Sequence, residues 1–215
     1  MTPGPRAVPR EPARSARVVL SVVKVRNSGS EPVRVTDGRP TVIVLCTGNA
    51  ARSVMAGAML VVAGAPVRVV TAGTHVLEHQ PMSIRTRSAL TAVGIEVPRH
   101  SSRQVTEADV AAADLVVAMA AEHVHYVRRR HPVGAARTAT IKFLATRLGR
   151  GPGPLAQRVD ALGLAQVAPE AQGDVEDPAG GGDDDYVSCA RELTGLVAAL
   201  VDRLGASDTL EGVTG

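Results

Sequence analysis

Aromatic side chains are almost missing from this chain. Phe143, Tyr126 and Tyr186 are the whole complement among 215 residues, with no tryptophan. A core must therefore be assembled from Val, Leu, Ala, Ile and Met, and the stacking platform of single-stranded nucleic-acid binding is almost unavailable. Cysteine is scarce as well. Cys46 and Cys189 stand far apart, which is neither a disulfide framework nor a zinc-site spacing. Two such thiols fit a reducing, cytoplasmic setting. No apolar run approaches the roughly 20 residues of a membrane span, and Val18 to Val23 is too short for a signal-peptide core.

Positive charge is unevenly placed. The chain carries a net charge of +3, but residues 1–39 hold eight Lys/Arg against three acids. The basic character thus belongs to the N-terminal segment, which argues against a nucleic-acid surface on the folded body. Residues 1–40 are rich in Pro, Arg, Gly and Ser and read as a disordered basic arm. An extra edge strand over Val18 to Val25 is the alternative.

From Thr41 the pattern changes to alternating strands and helices. Strands are expected at Thr41–Leu45, Val67–Thr71, Asp114–Met119 and Thr138–Leu144. Helices are expected at Ser53–Ala63, Met82–Val93, Ala121–His131 and Asp185–Leu204, with a capping box at Thr106 to Asp109 opening a further short helix. Such alternation implies an α/β fold with a parallel sheet covered on both faces. The folded domain spans 41–204, with a Gly/Pro-rich insertion over 145–172 that carries one short helix near Gln157 to Leu164. A flexible tail follows at 205–215.

The chemistry concentrates where the first strand ends. Cys46-Thr47-Gly48-Asn49-Ala50-Ala51-Arg52-Ser53 places a thiol at one end of a loop and a guanidinium at the other. Gly48 permits backbone angles closed to other residues, and Asn49 tolerates left-handed geometry and can lock the loop through its side chain. Successive backbone N–H groups then form an anion nest, and the helix beginning near Ser53 aims its positive end at the same point. That surrounding favours the thiolate form of a cysteine. Arg52 offers a planar fork matched to two oxygens of a phosphate-like ligand, and Ser53 is placed to donate to the sulfur. A thiolate attacking phosphorus needs a proton donor for the leaving oxygen. The best candidate is Asp177, in Glu176-Asp177-Pro178-Ala179-Gly180-Gly181.

With these residues in place, Thr41 to Leu204 resembles the low-molecular-weight protein tyrosine phosphatases and the related arsenate reductases. The motifs are Cys46 to Ser53, Thr71-Ala72-Gly73-Thr74, His100-Ser101-Ser102-Arg103 and Asp177-Pro178. The resemblance implies a three-layer fold of the phosphatase I type, with a four-stranded parallel sheet of order 2-1-3-4. It implies Cys46 as nucleophile, Arg52 as phosphoryl binder and Asp177 as acid, then base. The phosphate-binding loop would comprise Thr47, Gly48, Asn49, Ala50, Ala51 and Ser53, braced by Thr71 and His100. Ala51 stands where family phosphatases carry a second cysteine, Val54 replaces a proline and Gly57 replaces a glutamate. Ala179 stands where an aromatic residue walls the phosphotyrosine ring, and Ala50 is also small. The 145–172 insertion is the alternative cover for the pocket.

The expected activity is cysteine-dependent hydrolysis of phosphate monoesters, of which protein phosphotyrosine is one. It proceeds through a phosphocysteine intermediate and needs no cofactor and no metal. The expected partner is a phosphorylated protein or a small phosphate ester, with no nucleic acid and no membrane. Arsenate reduction is the runner-up. No resolving cysteine follows the third strand, so that reaction would need an external low-molecular-weight thiol or a redoxin. A non-catalytic anion-binding or scaffold role is a third reading. Cys189, in the last helix, is expected in the core. His75 and His79 have no third ligand for a metal. The cations Arg128 to Arg130 suit a helix C-terminus, and Asp183 to Asp185 a helix start.

Overall fold

The computed structural model describes residues 16–17, 38–97, 99–151 and 153–205. The arm expected over 1–40, the strand alternative at Val18 to Val25 and the tail after Gly205 therefore fall largely outside the described residues.

In chain order the strands are β1 (Ala16–Arg17), β2 (Thr41–Cys46), β3 (Arg68–Gly73), β4 (Ile95–Glu96), β5 (Leu115–Ala118) and β6 (Thr138–Thr140). The helices are α1 (Arg52–Val62), α2 (Ile84–Ala92), α3 (Glu107–Ala112), α4 (Ala121–Arg130), α5 (Ile141–Arg147), α6 (Leu155–Asp160) and α7 (Asp183–Leu204). β3, β2, β5 and β6 form one parallel sheet in that order. Counting these four strands along the chain gives the order 2-1-3-4. β1 pairs in parallel with β4 as a separate two-stranded ribbon.

Alternation of side chains along β2 divides the core. Val42, Val44 and Cys46 join a cluster with Met55, Met59, Leu60, Leu193, Val197 and Leu200 on the α1/α7 side. Ile43 and Leu45 join Val105, Val110, Val116 and Val127 on the α3/α4 side. A strand buried on both faces reads as a continuous apolar run, as β2 does. The odd–even rule also sends the Cys46 sulfur to the α1 side, at the carboxyl end of a central strand, where open α/β sheets place their ligands.

The fourth strand is shorter than its apolar sequence implies. It ends at Thr140, and Ile141–Arg147 is helical. Thr140 caps that helix by accepting from the Phe143 N–H, and its backbone N–H and hydroxyl are both taken by Gln172. A short apolar run carries no period that separates strand from buried helix. The insertion is fastened to the core rather than standing off it. Leu155, Val159 and Leu164 are buried, and Arg158 donates to the terminal carbonyls of α7 at Arg203 and Leu204. Among the described residues no helix is long and apolar enough to cross a membrane.

Candidate active site

The loop from Cys46 to Ser53 closes on itself through its own side chains. Cys46 Sγ lies 3.0 Å from Ser53 Oγ, and Asn49 Nδ2 donates to the same oxygen at 3.0 Å. Asn49 is fully buried at φ +50°, a left-handed conformation that asparagine tolerates better than most residues. Two further bonds fix it: its Oδ1 accepts from the Arg103 N–H at 3.0 Å, and its carbonyl accepts from His100 Nε2 at 2.7 Å. Burial lowers the pKa of His100, with the Asn49 bond acting in the opposite direction.

Helix α1 opens onto this loop with no side-chain cap and no acid in its first turn. Its N-terminal N–H groups and dipole are therefore not neutralised from within the helix's own first turn. Arg52, at 3% exposure, is clamped on three sides. Nη1 donates to the Val175 carbonyl at 3.2 Å, and Nη2 donates to Thr47 Oγ1 at 3.2 Å and to Asp177 Oδ2. The second carboxylate oxygen of Asp177 accepts from the Ala179 N–H at 3.1 Å, which folds the Asp-Pro-Ala-Gly turn back on itself.

Of the residues anticipated for the site, Cys46, Thr47, Asn49, Arg52, Ser53, His100 and Asp177 are brought together by these bonds. Gly48, Ala50 and Ala51 complete the loop, with the Ala50 carbonyl held by Thr86 Oγ1 at 2.9 Å. Thr71 is not brought in. The register pairs it with Val44, two residues short of the strand end where Cys46 pairs with Gly73. Its methyl lies against Gly57, where any Cβ would come within 2.4 Å of it. Bracing comes instead from the segment just after β3: the Thr74 N–H donates to the Cys46 carbonyl, and the His75 N–H donates to that of Thr47.

Three contributors escape a reading of the sequence. His123 is 1% exposed, with Nε2 3.0 Å from Thr47 Oγ1 and Nδ1 accepting from the Ala120 N–H. Glu122 accepts from the same threonine hydroxyl at 3.1 Å. Gln104 ties the Thr74 carbonyl to Tyr126. The available signal for His123 and Glu122 was position: they occupy the first turn of α4, beyond the carboxyl end of the strand beside β2. A cleft of about 480 Å³ opens over Arg52, lined by Ala120, Glu122, Asp174, Val175, Glu176 and Asp177. No residue of 145–172 lines it, so the insertion does not form its wall. Cys189 is buried in the core side of α7, and burial pushes its thiol up to about 12, unlike a ready resolving thiol.

A buried thiol and a clamped guanidinium on one strand–loop–helix turn define an α/β protein with a cysteine-containing anion loop. The chain belongs to the low molecular weight phosphotyrosine protein phosphatase family, whose sequence model matches residues 41–150. It is 34% identical over 92 residues to a probable low molecular weight protein-tyrosine-phosphatase, EpsP, of Ralstonia solanacearum, a match spanning 43% of this chain and 63% of that relative. The chain thus matches less than two thirds of that relative's length. It is 29% identical over 164 residues to a protein-arginine-phosphatase of Geobacillus stearothermophilus, covering 76% of this chain and 95% of that one. Among solved structures, the YwlE arginine phosphatase from Geobacillus stearothermophilus superposes with a TM-score of 0.63 at 28% identity, over 77% of this chain and 92% of its own. A low molecular weight protein tyrosine phosphatase from T. tengcongensis gives 0.60 at 29% identity, over 76% and 98%.

Proposed function

We propose that this protein is a cysteine-dependent phosphatase acting on phosphorylated protein. The observation that supports the reading is the arrangement of Cys46, Arg52 and Asp177: thiol and guanidinium share one loop, and the carboxylate rests on the guanidinium fork. In the first step the Cys46 thiolate attacks phosphorus in line. The S–P bond forms as the bond to the leaving oxygen breaks, and Asp177 gives its proton to that oxygen. Arg52 and the loop N–H groups hold the equatorial oxygens, where charge gathers in the transition state. In the second step water attacks phosphorus, Asp177 takes its proton, the S–P bond breaks and inorganic phosphate leaves. Ser53 donates to the departing sulfur.

A phosphoarginine substrate is the second reading, and one feature favours it. The lining of the cleft contains no aromatic residue and includes Glu122, Asp174, Glu176 and Asp177. Carboxylates at the mouth suit a cationic leaving group better than a phenol ring. The similarity to a protein-arginine-phosphatase over 95% of that relative adds to this reading. The bond broken would then be P–N, with the proton of Asp177 passing to nitrogen.

The test is a comparison of wild type and Cys46→Ser on p-nitrophenyl phosphate, a phosphotyrosine peptide and a phosphoarginine peptide. Wild-type turnover that disappears in Cys46→Ser is expected. The ratio between the two peptides decides the substrate class, and inactivity on all three would overturn the phosphatase reading.

A further inference from the structure

The Thr47 hydroxyl is a saturated node. A threonine oxygen has one hydrogen to give and two lone pairs to accept with. Here it accepts from Arg52 Nη2 at 3.2 Å and lies 3.0 Å from His123 Nε2, and it donates to Glu122 Oε1 at 3.1 Å. The tautomer of His123 follows from its other nitrogen. Nδ1 accepts the Ala120 N–H at 3.0 Å, so in the neutral ring the proton sits on Nε2. That Nε2–H is aimed at Thr47, with Glu122 Oε1 a second acceptor 3.2 Å away.

We propose that His123 is a positioning residue for the phosphoryl-binding arginine: its Nε2–H fixes the Thr47 hydroxyl, and that hydroxyl sets the rotation of the Arg52 fork. The inference rests on the phosphatase reading. Its physical basis is the division of labour around Arg52. Val175 holds Nη1 from the protein side. Asp177 occupies Nη2 from the cleft side, where a phosphoryl oxygen would replace it. The contact that survives that exchange on Nη2 is Thr47. With its His123 donor removed, the threonine is free to turn its hydroxyl away, and the fork loses its reference. A fork misplaced by a fraction of an ångström loses bidentate geometry.

The charge state of the imidazole is consistent with this task. Burial holds its pKa at about 4, aided by the Arg52 cation and by His75, against the pull of Asp177 and Asp174. Near neutrality the ring is a neutral donor with a fixed tautomer, and it puts no second cation beside Arg52.

Two substitutions separate this role from a purely structural one. His123→Asn retains an acceptor close to the Ala120 N–H but is too short to reach Thr47. His123→Gln extends an amide N–H to the Nε2 position and gives up the Ala120 contact. The measurements are the Kd of inorganic phosphate by calorimetry on the full chain, and KM and kcat for p-nitrophenyl phosphate. We expect His123→Asn to weaken phosphate binding and raise KM about tenfold with a smaller change in kcat, and His123→Gln to stay within about threefold of wild type. Thr47→Val should match His123→Asn, and the double variant should be no worse than either single one. The proposal is overturned if Asn binds phosphate like wild type or if Gln is as weak as Asn. Phosphate binding by wild type without turnover would overturn the phosphatase reading while leaving this ordering measurable. No phosphate binding by wild type would overturn both.

Discussion

Arg52 and Asp177, 125 positions apart in the chain, form an ion pair across the floor of the cleft. The arginine side chain is buried and the aspartate side chain is 43% exposed, so only the carboxylate faces solvent. The carboxylate occupies the part of the fork that a phosphoryl group would need. In the proposed reaction, substrate would displace Asp177 toward solvent, to the side from which the leaving group would depart.

Asp177→Asn tests both halves of that relationship. Removing the charge frees the Arg52 fork, so inorganic phosphate should bind severalfold more tightly. Removing the proton should lower kcat by about 10²–10⁴ for a poor leaving group such as phenol, and much less for p-nitrophenol. The checks are the inhibition constant of phosphate and kcat across a series of aryl phosphates. Equal slowing at both ends of the series would argue against Asp177 as the acid.

Ser53 stands 3.0 Å from the Cys46 sulfur and accepts from Asn49 on its other side, leaving its own proton for the sulfur. That bond matters most when the thiolate is expelled from phosphorus. Ser53→Ala should therefore slow breakdown of the phosphocysteine by about 10–100-fold, the range of a hydrogen bond to a charged group. Its first half-reaction should change less. Rapid-quench kinetics should show a burst of phenol with the phosphoryl group retained on protein, and Cys46→Ser should show neither burst nor turnover.

Much of this site is local and hence readable from the chain. Cys46, Asn49, Arg52 and Ser53 lie within one turn, so their order already constrains their geometry. Asp177 stands out only beside the Cys46 motif, because an acidic, Gly-rich stretch is by itself more often a solvated loop; the structure sets its carboxylate on Arg52. What escaped depends on contacts between distant segments. Thr71 fails to brace the loop because the β2–β3 register puts Gly73 and Thr74, not Thr71, beside it. The fourth strand was overextended because Ile141 to Leu144 is apolar in either state, and the cap at Thr140 becomes evident once Gln172 is seen to hold it. His123 touches Thr47 across 76 positions, through a neighbouring strand whose register no local pattern fixes.

Gly73 is a further consequence of that register. Its backbone runs so close to the loop that a Cβ would lie 2.4 Å from the Thr47 carbonyl oxygen and 2.9 Å from the Asn49 nitrogen. Both are backbone atoms, so neither can rotate aside. Gly73→Ala should shift the loop and cost about 1–3 kcal/mol of stability, with loss of phosphate binding beyond what that destabilisation explains. Gly57→Ala meets a threonine methyl, a side-chain atom two residues back along β3 from Gly73 and outside the loop, and should cost stability while sparing phosphate affinity in the folded fraction. Urea midpoints and phosphate titrations on the two variants make the comparison.

His123 and His100 give the fold an acid-side dependence of definite sign. Burial, assisted by Arg52, holds His123 at about 4 against an ordinary 6.5, and burial lowers His100 in the same direction. Between those limits the unfolded chain binds protons that the folded chain refuses, so stability rises with pH there. The contribution is fully present above pH 6.5 and is lost as pH falls toward 4. For His123 it amounts to on the order of 3 kcal/mol. Urea midpoints measured from pH 7 to pH 4 should fall steeply in wild type and less steeply in His123→Gln, whose amide does not titrate. A parallel fall in the two proteins would mean that His123 accepts its proton in the folded state as readily as in the unfolded one, and the neutral, fixed tautomer assigned to it would be wrong.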